Sequence, residues 1–263
     1  MTAGVAQPDE PATWVSPARA SGLLWRNRSL VATPVIVVVG LAFVALYMSN
    51  QQLDNVEQRI LDPNSLLAGL REHLLLTGYS TAIVIGLAVP LGILLSRPAV
   101  GIVRTGTLAF GGFMQALPPF GVIILLAIWV GAGPLGATIS LVLASFLPVL
   151  TNTVVGLRQV DPALIEAARG MGMSATRTLL KVELPLAMPV MVAGIRVALV
   201  LGVGTATLAG YVGAGGLGIP IDSALRLGRT EAAFAVSAIV AALALMIDWL
   251  AGLAQHLVSG RVA

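Results

Sequence analysis

Six apolar runs, each close to the length that crosses a lipid bilayer, dominate this sequence of 263 residues. A helix needs about 20 residues to cross the hydrocarbon core, because each residue adds about 1.5 Å along the helix axis. The runs therefore predict an all-α, polytopic transmembrane helical bundle of about six spans. They lie at 31–48, 73–96, 105–130, 135–157, 186–210 and 232–256.

The composition agrees with this class of protein. Hydrophobic residues make up 57% of the chain and charged residues 10%, whereas soluble domains use about 45–50% apolar and about 25% charged residues. The chain has no cysteine, which excludes a disulfide framework and a thiolate metal site. The basic residues flank apolar runs and do not cluster with aromatic residues, so the net charge of +3 does not indicate a nucleic-acid partner.

The third run contains the sequence Pro118-Pro119. Proline lacks a backbone donor and clashes with the preceding turn, so the helix must break there. The run is therefore either one broken span or two short segments.

The distribution of basic residues predicts the orientation of the chain. Loops rich in lysine and arginine stay in the cytoplasm, and acidic residues contribute little. With six spans and a cytoplasmic N-terminus, ten basic residues fall inside and four outside, which predicts that both termini are cytoplasmic. The inner set is Arg19, Arg26, Arg28, Arg97, Arg104, Arg158, Arg169, Arg177, Lys181 and Arg261, and the outer set is Arg59, Arg71, Arg226 and Arg229.

These boundaries divide the chain into parts. The first apolar run follows a polar, proline-containing stretch and is not followed by a small-residue cleavage site, so we expect it to be retained. The predicted parts are a cytoplasmic tail at 1–30, an accessory transmembrane helix with an external linker at 31–72, a transmembrane domain at 73–256 with a cytoplasmic hairpin at 158–185, and a second cytoplasmic tail at 257–263.

The cytoplasmic hairpin is predicted to contain two short helices. Asp161 is the expected N-cap of the first, with Pro162 in its first turn, where a missing donor costs nothing. Gly172 suits a left-handed conformation that ends this helix, Ser174 can cap the second, and Pro185 is expected to stop it. On these grounds alone, an ordinary amphipathic connection on the membrane surface is an equal alternative.

The spacing of residues in the hairpin is more specific. Glu166-Ala167-Ala168 is followed after three residues by Gly172, after nine more by Val182, and after one more by Leu184-Pro185. The pattern resembles the cytoplasmic signature of permease subunits of binding-protein-dependent ABC importers, which has isoleucine at the position of Val182. The resemblance implies a type I importer permease core whose coupling helix docks into an ATPase subunit. Residues carried over to this role are Glu166, Ala167, Ala168, Gly172, Leu184 and Pro185.

The resemblance extends from about Leu74 to Asp248 and is closest to the osmoprotectant branch. Segments that carry it include Gln115-Ala116-Leu117-Pro118, Gly194-Ile195-Arg196 and Gly213-Ala214-Gly215-Gly216-Leu217-Gly218. It implies import of glycine betaine, choline, carnitine or proline betaine. Two alternatives remain: the same machinery carrying another small solute such as methionine, or a secondary transporter driven by an ion gradient.

The resemblance also implies the partners. The chain has no Gly-x-x-x-x-Gly-Lys-Ser/Thr loop to hold ATP and no nucleophile with a base, so we expect a transport subunit and not an enzyme. ATP and Mg would be bound by two cytosolic ATPase subunits, with no cofactor or metal on this chain. A second permease copy or a paralogue, an extracytoplasmic binding protein and a prokaryotic plasma membrane complete the expected assembly.

Charged residues inside predicted spans are costly and normally face protein or water. Arg196 and Asp248 lie at similar depths below the cytoplasmic face, so we predict that they pair, either to lock two helices together or to act in substrate transfer. His73 and His256 lie near predicted membrane boundaries, where interfacial positions are expected.

Polar residues near proline breaks are candidates for the substrate pathway, because irregular backbone at membrane depth is tolerated where it lines a cavity. The candidates are Gln115, Pro118, Asn152 and Thr153. The alternative is that the polar side chains among them form hydrogen bonds between helices.

Overall fold

The predicted all-α architecture is confirmed. A computed structural model describes the backbone of residues 18–260 and the side chains of residues 31–260, and within that part every regular element is helical. The helices are α1 (Ala18–Ser49), α2 (Asn55–Ile60), α3 (Pro63–Leu95), α4 (Gly101–Ala116), α5 (Pro119–Val130), α6 (Pro134–Arg158), α7 (Pro162–Gly170), α8 (Ala175–Thr178), α9 (Leu184–Ala209), α10 (Gly218–Arg226) and α11 (Thr230–Ser259).

The span number agrees with the sequence prediction. Five helices in the described part are long and apolar enough to cross a membrane, and the pair α4 and α5 makes a sixth span if its two halves are counted as one. The two halves meet at Leu117-Pro118 with a bend of 90°, so the third apolar run is a broken helix. Most of the predicted tail at 1–30 and the last residues of the tail at 257–263 lie outside the described residues.

The centre of the molecule is formed by α3, α6 and α9. Small residues allow this close approach: a side chain at Gly92 would overlap Thr153, and one at Gly194 would overlap Asn152. Buried apolar residues fill the layers above and below these contacts, including Val84, Leu150 and Ala198. Helix α11 lies against α9, and α1 lies against α11 at the edge of the bundle.

The external linker is more structured than predicted. Helix α3 begins at Pro63 and not at His73, because Asp62 accepts a hydrogen bond from the Ser65 backbone amide at 2.9 Å and caps the longer helix. That bond, with a second from the Ser65 hydroxyl, lowers the pKa of Asp62. The helix therefore continues through the predicted domain boundary at 72/73. The additional N-terminal turns of α3 pack, together with Ile60 of α2, against Leu217 in the loop before α10 and Ile221 in α10.

Candidate functional site

The hairpin between α6 and α9 has the predicted local structure. The Asp161 carboxylate accepts a hydrogen bond from the Ala163 amide at 2.9 Å and caps α7. Gly172 adopts φ +82°, the left-handed conformation that ends α7, and the Ser174 hydroxyl accepts from the Arg177 amide at 3.4 Å. These three features set the angle at which α8 follows α7.

The inner face of the hairpin is fixed to the membrane domain. Ile165 and Leu179 pack against a cluster formed by Leu157, Val160 and Met191 at the ends of α6 and α9. Ala168 is 2% exposed and belongs to this inner face, although the family signature places it among the docking residues. The hairpin is therefore packed on the ends of two spans.

The outer face of the hairpin is exposed and includes apolar side chains. Glu166, Ala167 and Gly172 are exposed, and so are Leu164 and, at 78%, Met171. An exposed methionine and leucine beside a carboxylate suit docking against a protein surface. Sequence reasoning did not assign Leu164 and Met171, although an apolar Met171 at the tip of a cytoplasmic turn was a usable signal.

The prediction that Pro185 stops the second hairpin helix is wrong. Residues Leu179–Glu183 form a π-helical turn in which the Leu184 amide donates to the Leu179 carbonyl, and the chain continues into α9 without a break. This wider turn shifts the hydrogen-bond pattern by one residue just before the proline, so the missing donor of Pro185 interrupts nothing. Leu184 packs inward, and Pro185 is exposed.

An ion pair that the sequence analysis missed connects this turn to the loop after α3. The Arg97 guanidinium donates to the Glu183 carboxylate at 2.8 Å, and the Glu183 side chain is only 4% exposed. Glu183 lies between the signature residues Val182 and Leu184. An acidic residue in this largely apolar stretch could have indicated a buried ion pair. The pair joins the hairpin to a second membrane span.

A pocket of about 140 Å³ lies at the break between α4 and α5. Gln115 lies at its mouth, and α6 and α9 form its other walls, with Ser140 and Thr205 among the lining residues. The Ser140 hydroxyl is buried and has no hydrogen-bond partner among the residues that the structure describes. Sequence reasoning selected Gln115 and missed Ser140, because nothing in the local sequence distinguishes Ser140 from the neighbouring Ser145.

Asn152 and Thr153 lie elsewhere, at the contacts of α6 with α9 and α3. Each side chain donates to a carbonyl one turn back on its own helix, Asn152 to Pro148 and Thr153 to Val149, both at 2.8 Å. Their packing against Gly194 and Gly92 places them in helix contacts and not at the α4–α5 pocket. Pro118 is the exposed residue that precedes α5.

Arg196 and Asp248 lie against each other across α9 and α11. The guanidinium donates two hydrogen bonds to the carboxylate, both at 2.6 Å, in the two-pronged geometry that suits this pair. Their side chains are 35% and 37% exposed. Gly252, one turn along α11, leaves room for the guanidinium, since a side chain there would contact it.

His73 lies within α3 and not at the start of a span. It is fully buried, and its Nε2 lies 3.0 Å from the Val203 carbonyl, because α3 starts earlier and carries the ring between helices. The adjacent Glu72 accepts a hydrogen bond from the Gly216 amide at 2.9 Å and holds the glycine-rich loop against α3. Gly213, Gly215 and Gly216 have positive φ, which allows the tight turn of this loop.

Comparisons with known proteins agree with this arrangement. Residues 88–260 match the family described as binding-protein-dependent transport system inner membrane component. The chain is 36% identical to the carnitine transport permease protein OpuCB of Listeria monocytogenes, over 73% of this chain and 88% of the relative. It is 37% identical to the osmoprotectant import permease protein OsmY of Salmonella typhimurium, over 81% and 89%.

A third relative is the glycine betaine/carnitine/choline transport system permease protein OpuCB of Bacillus subtilis, which is 34% identical over 74% of this chain and 89% of the relative. Among solved structures, an inward-facing form of the MetNI methionine ABC transporter superposes with a TM-score of 0.66 at 24% identity, covering 78% of this chain and 99% of that chain. This likeness concerns the fold. The family match, the relatives' identity and the hairpin between α6 and α9 agree, and the chain belongs to the family of inner membrane components of binding-protein-dependent transport systems.

Proposed function

We propose that this chain is the permease subunit of an ATP-driven importer of osmoprotectants such as glycine betaine, choline, carnitine or proline betaine. The observation that carries the proposal is the hairpin α7–α8, whose outer face is exposed while its inner face is packed on α6 and α9. Such a hairpin can transmit a push from a cytosolic partner into two spans at once. The choice of solute rests on the relatives, which are named as osmoprotectant, carnitine, glycine betaine and choline permeases.

The proposed partners follow from the hairpin. Two cytosolic ATPase subunits bind ATP and Mg, and each docks on one copy of the outer face formed by Glu166, Ala167, Met171 and Gly172. A second permease, identical or paralogous, supplies the other half of the pathway. An extracytoplasmic binding protein delivers the solute, and the complex lies in a prokaryotic plasma membrane.

The solute is tested by uptake of radiolabelled glycine betaine into cells that lack their own betaine systems and express this chain with its ATPase and binding protein. Omission of this chain should abolish uptake at high osmolarity. Uptake that is unchanged without the chain contradicts the osmoprotectant assignment. Uptake that persists after ATP depletion, with the ion gradient intact, supports an ion-driven carrier instead.

The coupling role is tested by Gly172→Ala with Gly170→Ala as the matched control. Both glycines have open space around the Cα, but only Gly172 has a positive φ. Forcing a side chain into that conformation costs roughly 1–2 kcal/mol, so we expect ATP-driven uptake to fall about five- to thirty-fold. Gly170→Ala should retain uptake, and equal effects of the two substitutions would contradict the role of the turn.

A further inference from the structure

The pocket at the α4–α5 break has a polar interior without a compensating partner. Ser140 is 1% exposed and its hydroxyl makes no hydrogen bond within the described chain. A buried hydroxyl without a partner is unfavourable, and most buried polar groups in proteins are satisfied. Ser140 therefore has an unused hydrogen bond at the wall of the pocket.

The first turn of α5 lines the same pocket through Pro119 and Val122. This helix has 12 residues, and within the described part of the chain no side chain caps its N-terminus. The amides of Phe120 and Gly121 belong to the first turn, whose N–H groups lack partners within the helix. The aligned peptide dipoles also give this end of the helix a partial positive charge.

The residues around the pocket favour an anionic oxygen over a cation. Gln115 and Thr205 add polar side chains that can donate hydrogen bonds, and none of the lining residues is acidic or basic. A helix N-terminus with nearby hydroxyl and amide donors suits a carboxylate. Broken membrane helices place such N-termini at substrate sites in other transporter folds.

The depth of the pocket in the membrane agrees with a position on the solute pathway. Ser140 is six residues after Pro134, at the start of α6, and therefore about 9 Å from that end of the helix. In the predicted orientation this depth lies in the outer half of the membrane. A solute released by an external binding protein would reach it early.

We propose that this pocket is a subsite for the carboxylate of a zwitterionic solute, with Ser140 as a donor, the N-terminal end of α5 beside it and Gln115 at the mouth. The inference rests on the proposed function and adds a specificity-determining residue, Ser140. Glycine betaine, carnitine and proline betaine carry a carboxylate, and choline does not.

The test compares Ser140→Ala with Ser145→Ala in the complete complex in proteoliposomes, with saturating binding protein. Ser145 lies on the same helix and is also buried, but it bonds to the Ala198 carbonyl at 3.3 Å and does not line the pocket. We expect Ser140→Ala to lower glycine betaine uptake about ten-fold, as expected for losing a hydrogen bond to a charged group, with binding-protein-stimulated ATP hydrolysis retained. Ser140→Thr, which keeps the hydroxyl, should recover most of the uptake.

A second variant distinguishes loss of the subsite from a folding defect. Gln115 is exposed, so Gln115→Glu should fold, and its negative charge should repel the solute carboxylate and lower glycine betaine uptake. The subsite is refuted if Ser140→Ala transports glycine betaine as well as Ser145→Ala does, or if it lowers choline uptake by the same factor. A wild-type complex that transports none of these solutes would refute the proposed function, and the subsite with it.

Discussion

At the scale of single residues, the charges inside the spans are arranged to satisfy one another. Arg196 and Asp248 form a two-pronged ion pair, and the glycine at position 252 provides the space for it. Because the helices α9 and α11 each contribute one member, the pair fixes their relative register. Removing one member leaves the other charge without its partner in an apolar span.

We expect Asp248→Asn to destabilise the protein by about 1–3 kcal/mol, below the figure for fully buried pairs because both side chains are about a third exposed. The midpoint of thermal unfolding in detergent measures the loss. Exchange of the two charges, Arg196→Asp with Asp248→Arg, should recover part of it. The control is Asp222→Asn, which breaks an ion pair at the surface of α10 and should change little. A double variant no more stable than the single ones would contradict a pairing role.

Gly210 and Gly218 give a second residue-scale prediction. The two glycines bring backbone against backbone where the chain turns from α9 into α10, and a methyl group at Gly218 would overlap the Thr207 carbonyl oxygen. Backbone cannot move aside as a flexible side chain can, so we expect Gly218→Ala to cost about 3 kcal/mol or more in unfolding free energy. Gly204→Ala, at a position with open space on α9, is the control. Similar unfolding midpoints for both variants would contradict the close contact.

At the scale of elements, the hairpin is held at three places. Its inner apolar face packs on the ends of α6 and α9, the π-helical turn joins α8 to α9, and Glu183 binds Arg97 at the end of α3. A helix pair held in this way is fixed to three membrane spans, so we expect it to move with them. The π-helical turn also explains how a proline in the family signature coexists with a continuous helix.

We expect the Glu183–Arg97 ion pair to stabilise the hairpin against local unfolding. Glu183→Gln keeps the shape and removes the charge, so we expect trypsin cleavage at Arg177 and Lys181 in native membranes to rise about five-fold, equivalent to about 1 kcal/mol of lost local stability. Glu166→Gln is the control, because Glu166 is exposed and forms no ion pair within the described residues. Equal cleavage of both variants would show that the pair does not hold the hairpin.

At the scale of the whole molecule, the spans differ in how much of their surface is packed against other helices. Helices α3, α6 and α9 form the centre, whereas α1 contacts α11 at the edge, partly through an edge-to-face contact of Tyr47 with Phe234. Only 6% of the most apolar window of α1 is buried. The predicted division at residue 73 does not coincide with a break, since α3 runs through it, but an accessory role for α1 agrees with this packing.

Deletion of residues 1–50 should therefore leave the rest of the chain folded. We expect the truncated protein to elute as a single species in detergent and to lose at most about 2 kcal/mol of stability, because few of the side chains of α1 that the structure describes, at 31–49, are buried against the bundle. Deletion of α11 is the control and should abolish folding, since α11 packs on α9. Aggregation of the chain without α1 would show that this helix is part of the core.

Features that depend on local physics could be predicted from the amino-acid sequence alone. Apolar length gave the spans, proline chemistry gave the break at Pro118, and the capping residues Asp161 and Ser174 with Gly172 gave the hairpin. The pairing of Arg196 with Asp248 could be predicted because an unpaired charge in a span is costly. Counting residues from the cytoplasmic end of each span placed both side chains at a similar depth.

Which polar residues lie together could be established only from the packing of the helices. Ser140 and Ser145 are both buried hydroxyls on α6, and only the positions of α5 and α9 place one in a pocket and the other against a carbonyl. The same holds for Asn152 and Thr153, whose side chains bond within their own helix, and for Glu183, whose partner is 86 residues away. Local sequence sets backbone conformation and burial, whereas contacts between distant residues depend on the packing of all the helices together.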